Sequence, residues 1–142
     1  MPSVPMLVLT SLLAVSVQAY ADIDVIVNSG YALSHASKAD IAKVFLAKAN
    51  ALPGGSFLVP VDQRDGAPAR SSFYAQVTGK NASQLNAYWS KLIFTGQGQP
   101  PRTLGGDDEI AALVAKNPNM IGYVHASATR LNGLKVIAHL PE

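Results

Sequence analysis

Two arginines and two serines stand near one another in the middle of this chain: Arg64, Arg70, Ser71 and Ser72. Guanidinium groups offer planar, charge-assisted donors and serine hydroxyls add short ones, so the group could hold a phosphate, a sulfate or a carboxylate. The residues around them indicate how they would be presented. An apolar run over 57–61 leads into a polar loop, Pro68 stands where a helix would begin, and the apolar residues after it recur at helical spacing. Strand, loop and helix N-terminus follow in that order. The first turn of such a helix adds unpaired backbone N–H groups and the positive end of a dipole. A second reading needs no ligand: Arg64 pairs with Asp62 or Asp65 on the surface, and Arg70 lies along the helix with its stem on Phe73 or Tyr74.

The remaining polar residues point to less. Gly122-Tyr123-Val124-His125 places a tyrosine and a histidine at the end of a strand, where open α/β sheets contact ligands. His125 has no serine or carboxylate partner nearby in sequence and reads as structural or solvent-facing, and His35 and His139 are equally solitary. No spacing of His, Asp and Glu matches a metal motif; Asp107-Asp108-Glu109 reads as a helix start, with calcium as the alternative. Tyr88, Trp89 and Phe94, at helical spacing beside Leu85 and Leu92, read as core rather than as a stacking platform. Asn81-Ala82-Ser83 matches a glycosylation sequon, which matters only in a eukaryotic source. The sequence contains no Gly-x-Ser-x-Gly, P-loop or dinucleotide fingerprint. Neither enzymatic chemistry nor a cofactor is expected.

The elements that must carry these residues alternate. A β-branched run over 22–27 stops at Asn28-Ser29-Gly30 and reads as a strand buried on both faces over Val25, Ile26 and Val27. Ser37 with Asp40 resembles a capping box for a helix over 38–48, and 57–61 is the second strand. The helix over 68–77 closes at Gly79, and Asn81 with Gln84 opens another. After a loop over 95–101, the acidic cluster starts a fourth helix; strands over 120–124 and 134–140 complete the chain. The expectation is a single-domain α/β fold, a sheet of about four to five strands flanked by helices.

Composition narrows the function. The 142 residues contain no cysteine, so packing alone must stabilise the fold. Eleven basic and nine acidic residues, scattered along the chain, suggest neither a nucleic-acid partner nor a membrane-binding patch. Residues 1–21 read as a secretory leader, with an apolar core over 6–17 and small residues at Ala19 and Ala21, leaving a domain over 22–142 with no membrane span. The leader has no basic residue, and a retained anchor is the alternative, for which the apolar run is short.

The succession Val25-Ile26-Val27-Asn28, Ile41 through Lys48, Val59-Pro60-Val61-Asp62-Gln63 and Arg70-Ser71-Ser72-Phe73-Tyr74 resembles the small phosphate ABC-transporter substrate-binding-like proteins. These belong to the type II periplasmic binding protein superfamily. The likeness continues through Tyr88 to Gly96, Pro100-Pro101 and Ile121 to Val124. It implies the fold of one receptor lobe, a periplasmic location, a small oxyanion such as phosphate as ligand, and an ABC permease or another envelope protein as partner. It also implies a ligand-binding set of Gln63, Arg64, Asp65, Gly66, Arg70, Ser71 and Ser72. The receptors carry a motif resembling Arg-x-Asp-Gly-Ser-Gly-Thr at this corner. Arginine, aspartate and glycine have counterparts in Arg64, Asp65 and Gly66, whereas Ala67, Pro68 and Ala69 stand where the serine, glycine and threonine would be. The alternative is a periplasmic interaction or scaffold module that has lost ligand binding, using the 95–102 loop as a contact surface.

Overall fold

A computed structural model describes residues 2–5, 13–14, 22–128 and 132–141. The leader expectation over 1–21 lies mostly outside the described residues. Along the chain the elements are β1 (Ile23–Asn28), α1 (Lys38–Phe45), β2 (Val59–Asp62), α2 (Pro68–Thr78), α3 (Ala82–Phe94), β3 (Arg102–Thr103), α4 (Asp107–Lys116), β4 (Met120–His125) and β5 (Leu134–Leu140). A short 3₁₀ turn, Ala126–Ala128, follows β4. The five strands form one mixed sheet in the order β3-β2-β4-β1-β5. β2 runs parallel to both β3 and β4, whereas β1 is antiparallel to β4 and β5.

Each helix begins where local chemistry permits. Ser37 accepts from the Asp40 N–H at the start of α1, and Asn81 and Gln84 form a reciprocal capping box on α3. α2 has Pro68 in its first turn and ends at Gly79 with φ 69°, the left-handed conformation glycine adopts without strain. α1 stops at Phe45, short of the expected 48, because the chain turns left-handed at Ala47, φ 59°.

Alternation along the strands builds two apolar layers. Ile23, Val25 and Val27 of β1 and Ile121 and Tyr123 of β4 face α1, α2 and α3, joined by Phe45, Phe73, Leu85 and Trp89. Ile26 and Val124 face the other way, onto Ile110, Ala111 and Val114 of α4. β1 is therefore apolar on both faces over Val25, Ile26 and Val27, as its sequence predicts. α2 and α4 leave the same end of the parallel strands for opposite faces of the sheet. Among the described residues no helix is long and apolar enough to cross a membrane.

Candidate functional site

At the end of β2 the chain carries Asp62 and Gln63, both 1 % exposed, into the loop before α2. Two hydroxyls close on the Asp62 carboxylate: Tyr74 from α2 at 2.5 Å on Oδ2, and Tyr123 from β4 on Oδ1. The Gln63 N–H also donates to Oδ1, at 2.8 Å. Burial pushes the Asp62 carboxyl above its usual value, against the pull of the tyrosine hydroxyls and the Arg70 charge. Both tyrosine hydroxyls are held far above their ordinary value by burial and by the adjacent carboxylate. Beneath them the Phe73 and Tyr123 rings stack, centroids 3.9 Å apart and 5° from parallel.

Gln63 connects this cluster to the second helix N-terminus. Its Nε2 donates to the Tyr123 carbonyl at 2.9 Å and to Asp107 Oδ1 at 2.8 Å. Asp107, the first residue of α4, also accepts from the His125 N–H and lies 2.7 Å from His125 Nδ1 through its other oxygen. Burial pushes the Asp107 carboxyl up, but the hydrogen bonds from His125 and Gln63 together bring it below the usual carboxylate range. The expectation of a solitary His125 is thus corrected: its partner is 18 residues away in sequence and reaches it through the parallel β3–α4–β4 crossover. His139 is corrected likewise. Its Nδ1 is 2.6 Å from Asp24 and its Nε2 3.3 Å from Asp22, across the β1–β5 pairing.

The two arginines take different directions. Arg70 turns back to the buried cluster, with Nη2 3.9 Å from Asp62, Nη1 donating to the Gln63 carbonyl at 3.4 Å, and its guanidinium over the Tyr74 ring. The ligand-free reading has Arg70 lie along the helix with its stem on Phe73 or Tyr74; the contact is with Tyr74, but it is made by the guanidinium, which turns inward to Asp62. Arg64 is exposed and lies against Gly106, 3.2 Å from where a Cβ there would stand. Its charge helps hold the Glu109 carboxyl low, after the larger effect of the Gly106 N–H.

Of the seven predicted site residues, Asp65, Gly66, Arg70, Ser71 and Ser72 line one cavity of about 490 Å³ between α2 and α3. Gln63 does not reach it, because its amide is committed inside the cluster, and Arg64 lines the α4 side of the loop instead. Ser72 is buried and accepts from Gln76 Nε2 at 3.3 Å. The N-cap of α2 is Ala67, which makes no side-chain cap; Pro68 brings no N–H, and the Arg70 N–H already donates to the Ala67 carbonyl at 3.0 Å. Sequence reading missed Asp62, Tyr74 and Tyr123 as a unit. Their types were visible, but Asp62 and Tyr123 are 61 residues apart and nothing local joins them. Phe94, expected in the core, is 92 % exposed, whereas Trp89 is buried. Among the described residues no group of three or more His, Asp or Glu side chains is placed to hold a metal ion.

Comparison with solved structures decides the fold. A candidate phosphate ABC transporter substrate-binding protein from Clostridium perfringens, solved with bound phosphate, superposes with a TM-score of 0.64 at 22% identity over 84% of this chain and 46% of its own. An ABC-type phosphate transport receptor from Vibrio cholerae gives 0.64 at 13% identity, covering 84% and 47%. PstS from Borrelia burgdorferi gives 0.61 at 14% identity, covering 84% and 48%. The fold is that of one lobe of a periplasmic binding protein. The chain spans about half the length of each of these structures. No protein-family model matches it, and no curated protein matches it.

Proposed function

We propose that this protein is a periplasmic solute-binding protein that holds phosphate or a similar small oxyanion for an ABC transport system and performs no chemistry. One observation carries this reading: Arg70, Ser71 and Ser72, near the start of α2, line one cavity with Asp65 and Gly66. The phosphate receptors with this fold lend it support. Export would use residues 1–21 as a cleaved leader, and an ABC permease would be the partner. Binding would be weak. Arg70 shares its charge with Asp62, and Ala67, Pro68 and Ala69 supply no hydroxyl at the corner. Titration calorimetry with phosphate and sulfate tests the reading. We expect heat of binding in the millimolar range, falling with added salt, and a loss of about ten-fold in affinity in Arg70→Ala. Absence of heat with either anion would remove it.

A second reading, an interaction or scaffold module of the cell envelope, draws on the exposure of Ile93 and Phe94 at the end of α3, beside the 95–102 loop. Self-association seen by light scattering, and lost in Phe94→Ser, would favour it.

A further inference from the structure

The cavity beside Arg70 is larger than a bare oxyanion requires. At about 490 Å³ it falls in the range of pockets that take small organic ligands, whereas one water molecule occupies about 30 Å³ of liquid. Its lining divides by chemistry. Arg70, Ser71 and Ser72 mark the end at the start of α2, and the Asp65 carboxylate and Gln76 also line the cavity. Further along, the exposed apolar wall is Ala75 of α2 and Ala82 of α3, over the buried Tyr74 and Leu85. Lys80 extends this apolar stretch with its methylene stem, because its ammonium lies over the ring of Tyr88, 5.2 Å from the centroid, and Tyr88 is not part of the wall. Asn81 spends its side-chain oxygen and its backbone N–H in the capping box with Gln84.

A tetrahedral anion at Arg70 would thus leave most of the space as water against apolar walls, an arrangement that an apolar substituent on the anion would improve. From this we infer that the cavity takes an oxyanion bearing a small hydrophobic group, such as a phosphonate or phosphomonoester. The charged head lies at Arg70 and Ser71 and the hydrophobic part on Tyr74, Ala75, Ala82 and Leu85. This rests on the oxyanion reading above and names its ligand class.

Calorimetry on the full chain with inorganic phosphate and with phenylphosphonate separates the two claims. Phenylphosphonate is expected to bind about ten-fold more tightly than phosphate, and Ala75→Trp, which fills the apolar stretch from an exposed helical position, is expected to bring the ratio of the two affinities towards one. If Ala75→Trp does not fold, as judged by circular dichroism, Ala82→Leu serves the same purpose from α3. Phosphate binding with no preference for phenylphosphonate overturns the inference and leaves the oxyanion reading standing. Binding of neither anion overturns both. A preference that survives the filling substitutions puts the ligand elsewhere and overturns the inference alone.

Discussion

Asp62 is 1 % exposed, with a tyrosine hydroxyl on each carboxylate oxygen, and both hydroxyls are themselves buried. Removing the carboxylate leaves two buried donors without an acceptor and releases Arg70 from its ion pair. Asp62→Ala should therefore lower stability by about 3 kcal/mol, read from the urea midpoint. The half-exposed His139 beside the buried Asp24 behaves differently. The hydrogen bond to Asp24 raises the His139 pKa above 6.5, with smaller help from the Asp24 and Asp22 charges. A group raised in the folded state stabilises fully below its unfolded pKa, and that stabilisation is lost as the pH rises through the folded value. The stability difference between the wild type and His139→Gln should be largest near pH 5.5 and shrink towards pH 8.5, measured by urea unfolding across that range. A difference that grows with pH would contradict the geometry at Asp24.

At the scale of elements, close approach matters most where α4 crosses β4. A Cβ at Gly122 would stand 2.6 Å from Ile110 Cγ2, with Val61 and Val114 side chains also in contact. Gly122→Ala should cost about 1–3 kcal/mol by forcing α4 off the sheet, seen as a lower urea midpoint with an unchanged slope. The end of α3 shows why helical spacing over-predicted the core. Leu85 and Trp89 lie one turn apart on the buried stripe, whereas Phe94 is nine positions beyond Leu85 and so about half a turn around the helix from it. Grouping Phe94 with Tyr88 and Trp89 by helical spacing places it inside; its angle around the helix from Leu85 places it out. The starts of α1 and α3 agree with their sequence signals because a cap is settled within four residues.

For the whole molecule, the two apolar layers share one sheet, since β1 and β4 contribute residues to both. Neither layer can open without exposing the back of the other. Trp89, the one tryptophan, reports the α3 side, so its fluorescence and far-UV circular dichroism should give coincident urea transitions. Ile110→Ala on the opposite face should lower both midpoints together by about 2–4 kcal/mol, and separate transitions would show that the layers unfold independently. The sequence by itself determined four of the five strands and the four helices, that they alternate, and that a strand-to-helix corner with two arginines exists at residues 60–74, because side-chain period, caps and turn residues act over a few positions; the two-residue β3 is too short to leave such a signal. Only the tertiary structure decided which strands are neighbours, that Arg70 turns inward to Asp62 while Arg64 leans on α4, and that Asp107 meets His125 and Asp24 meets His139. Those pairings join residues from distant parts of the chain. Their distances are set by how helices and strands pack across the sheet, and no spacing along the chain records them.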